Sequence, residues 1–187
     1  MSARRGLQLP EPIDLPGERL GLLSDSHEDA LETQLAVRAL CTRGADVLLH
    51  LGDVCAREVI DELAGAHRDG ERIPARLVFG NMDFDTDDDA RYAAHLGVAC
   101  DHPIGVYRMA GTRLVAHHGH FAGVEEGAIE SGSDYYLHGH THRLRDERVG
   151  ATRVINPGAL HRAKRHTCAL LTPATGALEI IDLRAGD

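Results

Sequence analysis

The sequence predicts an α/β fold with at least a partly parallel β-sheet. Three short apolar segments occur in the first half of the 187-residue chain, and stretches with helical spacing alternate with them. Strands that are apolar on both faces belong to sheets that are covered on both sides, as in folds where strands and helices alternate. The second half instead contains pairs of short strands around glycine, which is the pattern of antiparallel hairpins.

The first half contains three strands in succession, and each ends in polar residues. "RLGLLS" (19–24) precedes a helix over 28–43, and "DVLLHLGD" (46–53) precedes a helix over 57–65. The third strand is "RLVFGN" (76–81). Ligands bind beyond the carboxyl ends of the strands in such sheets, so the polar residues that follow the strands are expected to meet in one crevice.

The second half is predicted to be richer in antiparallel strands. These are two strands within 105–119 around a central glycine, a hairpin over 143–156, and strands at 167–172 and 177–182. A short helix is expected over 123–131. "YYLHGHTHRL" (135–144) begins like a strand and has His138, His140 and His142 at every second position. Strand alternation would place these three side chains on one face.

Length and composition predict one globular domain. At 43% hydrophobic residues, the chain can bury a substantial core, and no segment approaches the roughly 20 apolar residues of a membrane span. Residues 1–18 are Pro-rich and lack an apolar stretch of signal-peptide length, so they are expected to form a poorly ordered tail before a domain at 19–187.

Charge and cysteine content narrow the functional classes. The net charge is −9 and no block of Lys and Arg dominates a segment, which argues against a stable nucleic-acid partner or a membrane surface. The four cysteines form no CxxC pair, so they are predicted to be thiols in a cytoplasmic protein.

Carboxylates, imidazoles and one amide follow the strands or lie in the histidine-rich segment, and they are candidate metal ligands. Mixed nitrogen and oxygen ligands suit Mn²⁺, Fe²⁺, Co²⁺ or Zn²⁺, whereas Ca²⁺ and Mg²⁺ seldom bind so many imidazoles. Seven ligands exceed the needs of one tetrahedral ion, so two ions that share a carboxylate are expected. The candidates are Asp25, His27, Asp53, Asn81, His118, His140 and His142.

The order of five short motifs resembles the calcineurin-like metallophosphoesterase superfamily, in particular its small single-domain bacterial and archaeal phosphodiesterases. The resemblance covers residues 19–172 and includes "VINPGAL" at 154–160. The motifs are Asp25-Ser26-His27, Gly52-Asp53, Gly80-Asn81, His118-Gly119 and Gly139-His140-Thr141-His142. The resemblance implies a four-layer α-β-β-α sandwich of two mixed β-sheets flanked by helices.

The resemblance also implies a role for each candidate ligand. Asp25, His27 and His142 would bind the first ion, and Asp53 would bridge both ions. The second ion would be bound by Asn81, His118 and His140. Mn²⁺ is the expected ion, with Ni²⁺, Fe²⁺, Co²⁺ and Zn²⁺ as alternatives. A hydroxide that bridges the two ions would attack phosphorus in line, because metal binding lowers the pKa of water toward about 7.

The resemblance also implies which residues are catalytic and whether the substrate is a phosphate monoester or diester. The predicted catalytic set is Asp53, Asn81, His118 and His120. Phosphomonoesterases of the superfamily commonly carry histidine after the asparagine as a candidate proton donor, whereas Met82 occupies that position here. Met82 therefore favours a small phosphodiester over a monoester, and His120 is a candidate substitute donor.

Several residues have a plainer interpretation. Asp25 could cap the following helix. His117, next to His118, is expected to be a structural histidine, and His138 is expected to pack or to support the site. His50 could orient the loop of Asp53 or be a core histidine. The acidic run 83–89 and the cationic run 161–166 could each be a solvated loop or lie near the substrate, and Cys55 is expected to be a small core residue rather than a ligand or nucleophile.

The leading hypothesis is a dinuclear metal-dependent phosphodiesterase. The alternatives are a phosphomonoesterase or phosphoprotein phosphatase, and a noncatalytic interaction protein similar to the retromer subunit of this superfamily. That branch has lost histidine ligands, whereas all seven candidates are present here. Edge strands of the sandwich offer a route to a homodimer. The natural substrate, the native metal and the oligomeric state are not specified by the sequence.

Overall fold

A computed structural model describes residues 7–121 and 123–184. Four helices and fourteen strands lie within these ranges. The helices are α1 (Ala30–Thr42), α2 (Arg57–Ala64), α3 (Thr86–His95) and α4 (Val124–Glu130). The strands are β1 (Ile13–Asp14), β2 (Leu20–Leu23), β3 (Val47–His50), β4 (His67–Arg68), β5 (Glu71–Arg72), β6 (Ala75–Leu77), β7 (Ala99–Cys100), β8 (Gly105–Met109), β9 (Thr112–Ala116), β10 (Tyr135–Leu137), β11 (Arg145–Val149), β12 (Thr152–Asn156), β13 (Thr167–Thr172) and β14 (Ala177–Asp182).

Two six-stranded mixed sheets form the body of the fold. The first sheet has the order β14-β13-β2-β3-β6-β7, and its strands β2, β3, β6 and β7 are parallel. The second sheet has the order β1-β8-β9-β10-β12-β11, and β10 is parallel to both of its neighbours. A separate two-stranded ribbon joins β4 and β5. The prediction of mixed sheets is confirmed.

Three hydrophobic clusters hold the layers together. One lies between the sheets, where leucines of β2 and β3 share a cluster with residues of β8, β9 and β10. A second joins α1, α2 and the outer face of the first sheet, and a third joins α4 and the second sheet. Leu40 of α1 and Ile60 of α2 are fully buried, and burial of each contributes about 1.5 to 3 kcal/mol. The result is the expected α-β-β-α sandwich.

The predicted elements are found, but several strands end earlier than the sequence suggested. β6 ends at Leu77 rather than at residue 81, and β10 ends at Leu137. The interpretation of 138–142 as a continuing strand is therefore wrong. His140 and His142 have φ angles of 67° and 55°, a left-handed backbone that a strand does not have.

The segment before residue 19 also contributes to the fold. Ile13–Asp14 pairs in parallel with β8, and the adjacent Leu15 is buried. Residues 1–6 of the predicted tail lie outside the described residues. In the part of the chain that the structure describes, no helix is long and apolar enough to cross a membrane.

Candidate metal centre

The seven candidate ligands lie in loops that follow strands of both sheets. Asp25 and His27 follow β2, Asp53 follows β3, and Asn81 follows β6, all strands of the first sheet. In the second sheet, His118 follows β9, and the loop after β10 carries His140 and His142. The predicted crevice is therefore built where strand ends of the two sheets face each other.

The loops have an unusual backbone at the ligands themselves. Five of the seven candidates are non-glycine residues with positive φ, between 43° and 67°. They are Asp25, His27, Asp53, His140 and His142. A left-handed conformation costs roughly 1 to 2 kcal/mol at each such residue, and strain of this kind concentrates at functional sites. Packing and hydrogen bonds must therefore hold these loops in shape.

Four of the candidates form a compact group, which we call the first half-site. One ligand atom from each of Asp25, His27, Asp53 and His142 lies within 4.8 Å of every other. Nε2 of His142 is 3.2 Å from Oδ1 of Asp25 and 3.1 Å from Nε2 of His27. Nε2 of His27 is 3.5 Å from Oδ2 of Asp53. Residues distant in sequence thus converge on a single point.

The other three candidates, His118, His140 and Asn81, form the second half-site, which is more open. His118 is fully buried, and its Nε2 lies 3.2 Å from Oδ1 of Asp53. The ring centroids of His118 and His140 are 5.2 Å apart, and His140 is exposed. Asn81 is exposed in the loop after β6. The structure therefore brings His118 and His140 together and leaves Asn81 at the rim.

Glycine allows the Asn81 loop to approach the other ligands closely. A Cβ atom added to Gly80 would collide with Oδ1 of Asp53 and lie 2.8 Å from the ring of His118. The loop is held by Asp83, which accepts hydrogen bonds of 2.7 Å from the amides of Gly80 and Cys55. In the sequence, Asp83 is only one member of the acidic run 83–89, and this anchoring role was not predicted from it. Helix α3 begins three residues after Asp83.

The orientation of His118 aims one ring nitrogen at Asp53. Burial alone would lower the pKa of this imidazole, but Asp53 and Asp25 outweigh burial and raise it. Its Nδ1 donates a hydrogen bond of 2.8 Å to the carbonyl oxygen of Leu51, so Nε2 of the neutral ring has a free lone pair. The contact between Nε2 and Asp53 lacks hydrogen-bond geometry, and this buried nitrogen has no hydrogen-bond partner in the described part of the chain. Two electron-rich atoms at 3.2 Å need a cation or proton between them.

The charges of the site suit ligands for a cation. Burial disfavours the charge of Asp53, but contacts with His118 and the amide of Met82 outweigh burial and lower its pKa to about 2. Burial lowers the pKa of His27, whereas contact with Asp25 raises the pKa of His142. Asp53 is thus an anion at neutral pH, which suits a carboxylate ligand of a cation.

His50 braces the two loops that carry the acidic ligands. Its Nδ1 accepts a hydrogen bond of 3.1 Å from the amide of Gly52, and its Nε2 donates to Oγ of Ser26 at 2.8 Å. Burial lowers the pKa of His50 to about 4, so the neutral ring keeps both contacts at pH 7. Both interpretations of His50 therefore apply, since it is a core residue that orients the Asp53 loop.

Asn156 plays a similar part for the loop that carries His140 and His142. Its Nδ2 donates to the carbonyl oxygen of Gly139 at 2.7 Å and to Oγ1 of Thr141 at 3.1 Å. His138 is buried, stacks on Tyr136 at 5.4 Å and lies outside the compact ligand group. Sequence reasoning found the Asn-Pro-Gly segment but gave Asn156 no role.

His120 lies beside the second half-site. Its ring centroid is 5.5 Å from that of His118 and 6.3 Å from that of His140. His117 is fully buried against His120 at 4.9 Å and accepts a hydrogen bond from the amide of Gly119, so it packs beneath the site. The predicted placement of His117 away from the ligands agrees with these contacts.

Two plainer interpretations are resolved by the contacts. Asp25 does not cap α1, because Asp29 is the N-cap residue and accepts a hydrogen bond of 3.0 Å from the amide of Glu32. Sγ of Cys55 lies 3.8 Å from Nδ1 of His27, but burial and nearby carboxylates raise the pKa of this thiol to about 12. Cys55 is therefore a protonated neighbour of the site.

These residues fit divalent transition metals. The donors are carboxylate oxygens, imidazole nitrogens and one amide, a set that favours Mn²⁺, Fe²⁺, Co²⁺, Ni²⁺ or Zn²⁺. The unpartnered Nε2 of His118 and the 3.1 Å separation of Nε2 atoms in His27 and His142 show lone pairs that converge on common points. Such convergence stabilises a protein only when a cation or proton lies between the nitrogens.

The fold and the ligand group together define a metal-dependent phosphoric ester hydrolase. The chain belongs to the calcineurin-like phosphoesterase superfamily, whose domain matches residues 19–176. A curated relative, phosphodiesterase MJ0936 of Methanocaldococcus jannaschii, is 27% identical over an alignment of 168 residues that covers 86% of this chain and 92% of that protein.

Solved structures show the same fold. An archaeal phosphodiesterase has a TM-score of 0.78 at 23% identity, and the match covers 88% of this chain and 99% of that one. Yfce, a phosphoesterase from E. coli, has a TM-score of 0.61 at 19% identity, with 89% and 100% covered. Wild-type Vps29 of Entamoeba histolytica in complex with Zn²⁺ has a TM-score of 0.58 at 18% identity, with 89% and 99% covered.

Proposed function

We propose that the chain is a dinuclear metal-dependent phosphodiesterase in which hydroxide attacks the phosphorus atom. One observation carries the proposal: the two oxygens of a single carboxylate face different half-sites. Oδ2 of Asp53 is 3.5 Å from Nε2 of His27, whereas Oδ1 is 3.2 Å from Nε2 of His118. A carboxylate in this position can bind two cations at once.

The remaining ligands divide between two ions. Asp25, His27 and His142 would hold one ion, while Asn81, His118 and His140 would hold the other. When bound, the pair supplies Lewis acidity, neutralises phosphate charge and makes a bridging hydroxide available near pH 7. Mn²⁺ is the ion we propose, with Ni²⁺, Fe²⁺, Co²⁺ and Zn²⁺ as alternatives, because this ligand set does not select one of them.

The protein's own groups would orient the ligands and the substrate. The Leu51 carbonyl fixes the ring of His118, and the amide of Met82 donates a hydrogen bond of 3.0 Å to Oδ1 of Asp53. His120 would hold a proton for the leaving oxygen. Its Nδ1 is buried with no hydrogen-bond partner among the described residues, and its ring packs between those of His117 and Phe121 beside the second half-site.

Met82 supports a diester rather than a monoester substrate. Its thioether follows Asn81 at the rim, where it cannot donate a proton. A monoester releases its leaving group from a phosphate with two negative charges and depends more strongly on protonation at that oxygen. We therefore propose a small phosphodiester as the substrate. The cytoplasmic location and the homodimer stay predictions.

The test is hydrolysis of a matched pair of esters after the metal content is reset. The purified protein is stripped with chelator, supplied with Mn²⁺, Ni²⁺, Zn²⁺ or Mg²⁺ in turn, and assayed with bis(4-nitrophenyl) phosphate and 4-nitrophenyl phosphate. We expect no activity after stripping and preferential hydrolysis of the diester with Mn²⁺. The Asp53→Asn protein, purified identically, controls for contaminating hydrolases.

The same assay decides between the alternatives. Hydrolysis of the monoester alone would make the chain a phosphomonoesterase or phosphatase. Absence of turnover of both esters with every metal would favour the alternative of a noncatalytic interaction protein similar to the retromer subunit. All seven candidate ligands are present, and the described contacts give each half-site at least one histidine aimed at Asp53, which supports the enzyme.

A further inference from the structure

A cationic cleft adjoins the first half-site. It has a volume of about 700 Å³ and is lined by His142 and Thr141 of the ligand loop and by four basic residues. The basic residues are Arg143, Arg162, Lys164 and Arg165. The cleft therefore opens directly from a candidate metal ligand, and its charge is opposite to the −9 of the whole chain.

Three of these four cations have no ion-pair partner in the part of the chain that the structure describes. Arg165 forms an ion pair of 2.7 Å with Asp182. Within the described residues, Arg143, Arg162 and Lys164 have no carboxylate within 4.0 Å of their charged nitrogens. By contrast, Arg145 and Arg153, two strand arginines close by in sequence, are both paired with carboxylates. The cleft thus concentrates positive charge that its own neighbours leave available.

The loop that carries this charge lies against the metal ligands. His161 is 6.1 Å from His27 between ring centroids, and its Nδ1 is 3.4 Å from Oδ2 of Asp29. The next side chains along the loop are therefore within one substrate length of the first half-site.

We propose that this cleft binds a second phosphate group of the substrate, so that the substrate is a phosphodiester that carries an additional phosphate. The inference rests on the proposed phosphodiesterase function. The scissile phosphate would lie at the metal centre and the additional one in the cleft. Guanidinium and ammonium groups bind phosphate through charge-assisted hydrogen bonds, and the fork of arginine matches phosphate oxygens.

The experiment compares two esters that differ by one phosphate. These are the 4-nitrophenyl ester of thymidine 5′-phosphate and the same ester with a 3′-phosphate. We expect the wild-type protein to have a KM roughly tenfold lower for the 3′-phosphorylated ester, as for about one charge-assisted hydrogen bond at an exposed site. The preference should shrink as ionic strength rises, because salt screens exposed charges.

The double variant Arg143→Ala/Lys164→Ala tests the residues. We expect it to lose most of the roughly tenfold preference while KM for the ester without 3′-phosphate changes less than about twofold. Arg38→Ala/Arg91→Ala is the matched control, since it removes two exposed arginines from α1 and α3, which do not line the cleft. The control should keep the preference.

A binding measurement separates failure of this inference from failure of the proposed function. Calorimetric titration with thymidine 3′,5′-bisphosphate should give a Kd about tenfold weaker for the cleft variant than for the control. Inorganic phosphate should compete only weakly with the bisphosphate if the cleft binds a second phosphate group of the same substrate. Strong competition would show that the cleft is a site for free phosphate. Equal Kd values, or equal KM values for both esters in the wild-type protein, would overturn the inference. If neither ester is hydrolysed but the Kd values differ, the proposed function fails and the cleft remains.

Discussion

The two half-sites around Asp53 are built differently. In the first, atoms of Asp25, His27 and His142 already lie within 4.8 Å of one another and of Asp53. In the second, only His118 is buried, while His140 and Asn81 are exposed. Preorganised ligands lose less conformational freedom when they bind, so the first half-site is expected to hold its ion more tightly. In the proposed dinuclear enzyme, the ion of the first half-site would be permanent and that of the second would exchange.

Removal of the shared ligand should have the largest effect. Asp53→Asn keeps the size of the side chain but removes the charge that faces both half-sites. We expect kcat/KM for an activated diester to fall by at least about a hundredfold, since loss of an outer-shell partner of a metal ligand costs 10- to 100-fold. Metal analysis of the variant should show loss of both ions. Retention of two ions with full activity would contradict a bridging role.

Substitution of one histidine from each half-site should separate the two ions. His142→Ala removes a contact of the compact group, and His140→Ala removes the exposed ring next to His118. We expect each variant to lose about 10- to 100-fold in activity and to bind one ion instead of two. The comparison is sharpened by titration with chelator, which should release the ion of His140→Ala less readily than the ion of His142→Ala.

The result of this pair of variants can also refute the assignment. If both proteins lost the same ion, or if each lost both, the ligands would not be divided as proposed. Metal content measured on protein dialysed against a limiting chelator distinguishes these outcomes without reference to activity.

A smaller effect is expected from the brace between the acidic loops. His50 has a pKa lowered to about 4 by burial, so the unfolded chain binds more protons than the folded one between that value and 6.5. The free energy of unfolding should therefore fall as the pH drops from 6.5 to 4, by about 3 kcal/mol at most from this residue. Above pH 6.5 its contribution is fully present.

His50→Gln removes the titration while it keeps a side chain that can hydrogen-bond. In chelator, urea unfolding followed by circular dichroism should show a shallower decline of stability with acid for this variant than for the wild type. The buried His117, whose pKa is lowered to about 3, has the same sign and remains in both proteins. Parallel pH profiles would show that His50 does not contribute.

The smallest effect is expected for His138. This residue stacks on Tyr136 outside the ligand group, although it belongs to the same histidine-rich segment. His138→Ala should change the metal content by less than one ion and kcat/KM by less than about tenfold, the lower limit for an outer-shell partner. A loss equal to that of His140→Ala would break the distinction between the two.

The pattern of apolar strands and helices predicted an α/β fold with a partly parallel sheet, and the resemblance to the metallophosphoesterase superfamily implied the four-layer sandwich. Apolar strands that end in Asp25, Asp53 and Asn81 indicate where a parallel sheet ends. The order of five motifs then marked the histidines of the second half as candidate ligands. Such patterns can be recognised in a sequence without knowledge of the loop conformations.

The loop shapes could not be predicted. His140 and His142 alternate as strand residues would, yet both have left-handed backbones in a loop tied by Asn156. Hydrogen bonds between distant residues decide such conformations, and a period of two carries no information about them. The anchoring of Gly80 by Asp83 was missed for the same reason, since Asp83 lay within a run of acidic residues that resembles a solvated loop.

The distribution of ligands between the sheets has a mechanical consequence. Asp25 lies in the loop after β2 of the first sheet and His142 in the loop after β10 of the second, and their ligand atoms are 3.2 Å apart. An ion bound by both residues would cross-link the two sheets of the sandwich at the crevice. Because such an ion would bind only the folded chain, the sheets could not separate without releasing it, and the free energy of unfolding would rise with the free metal concentration.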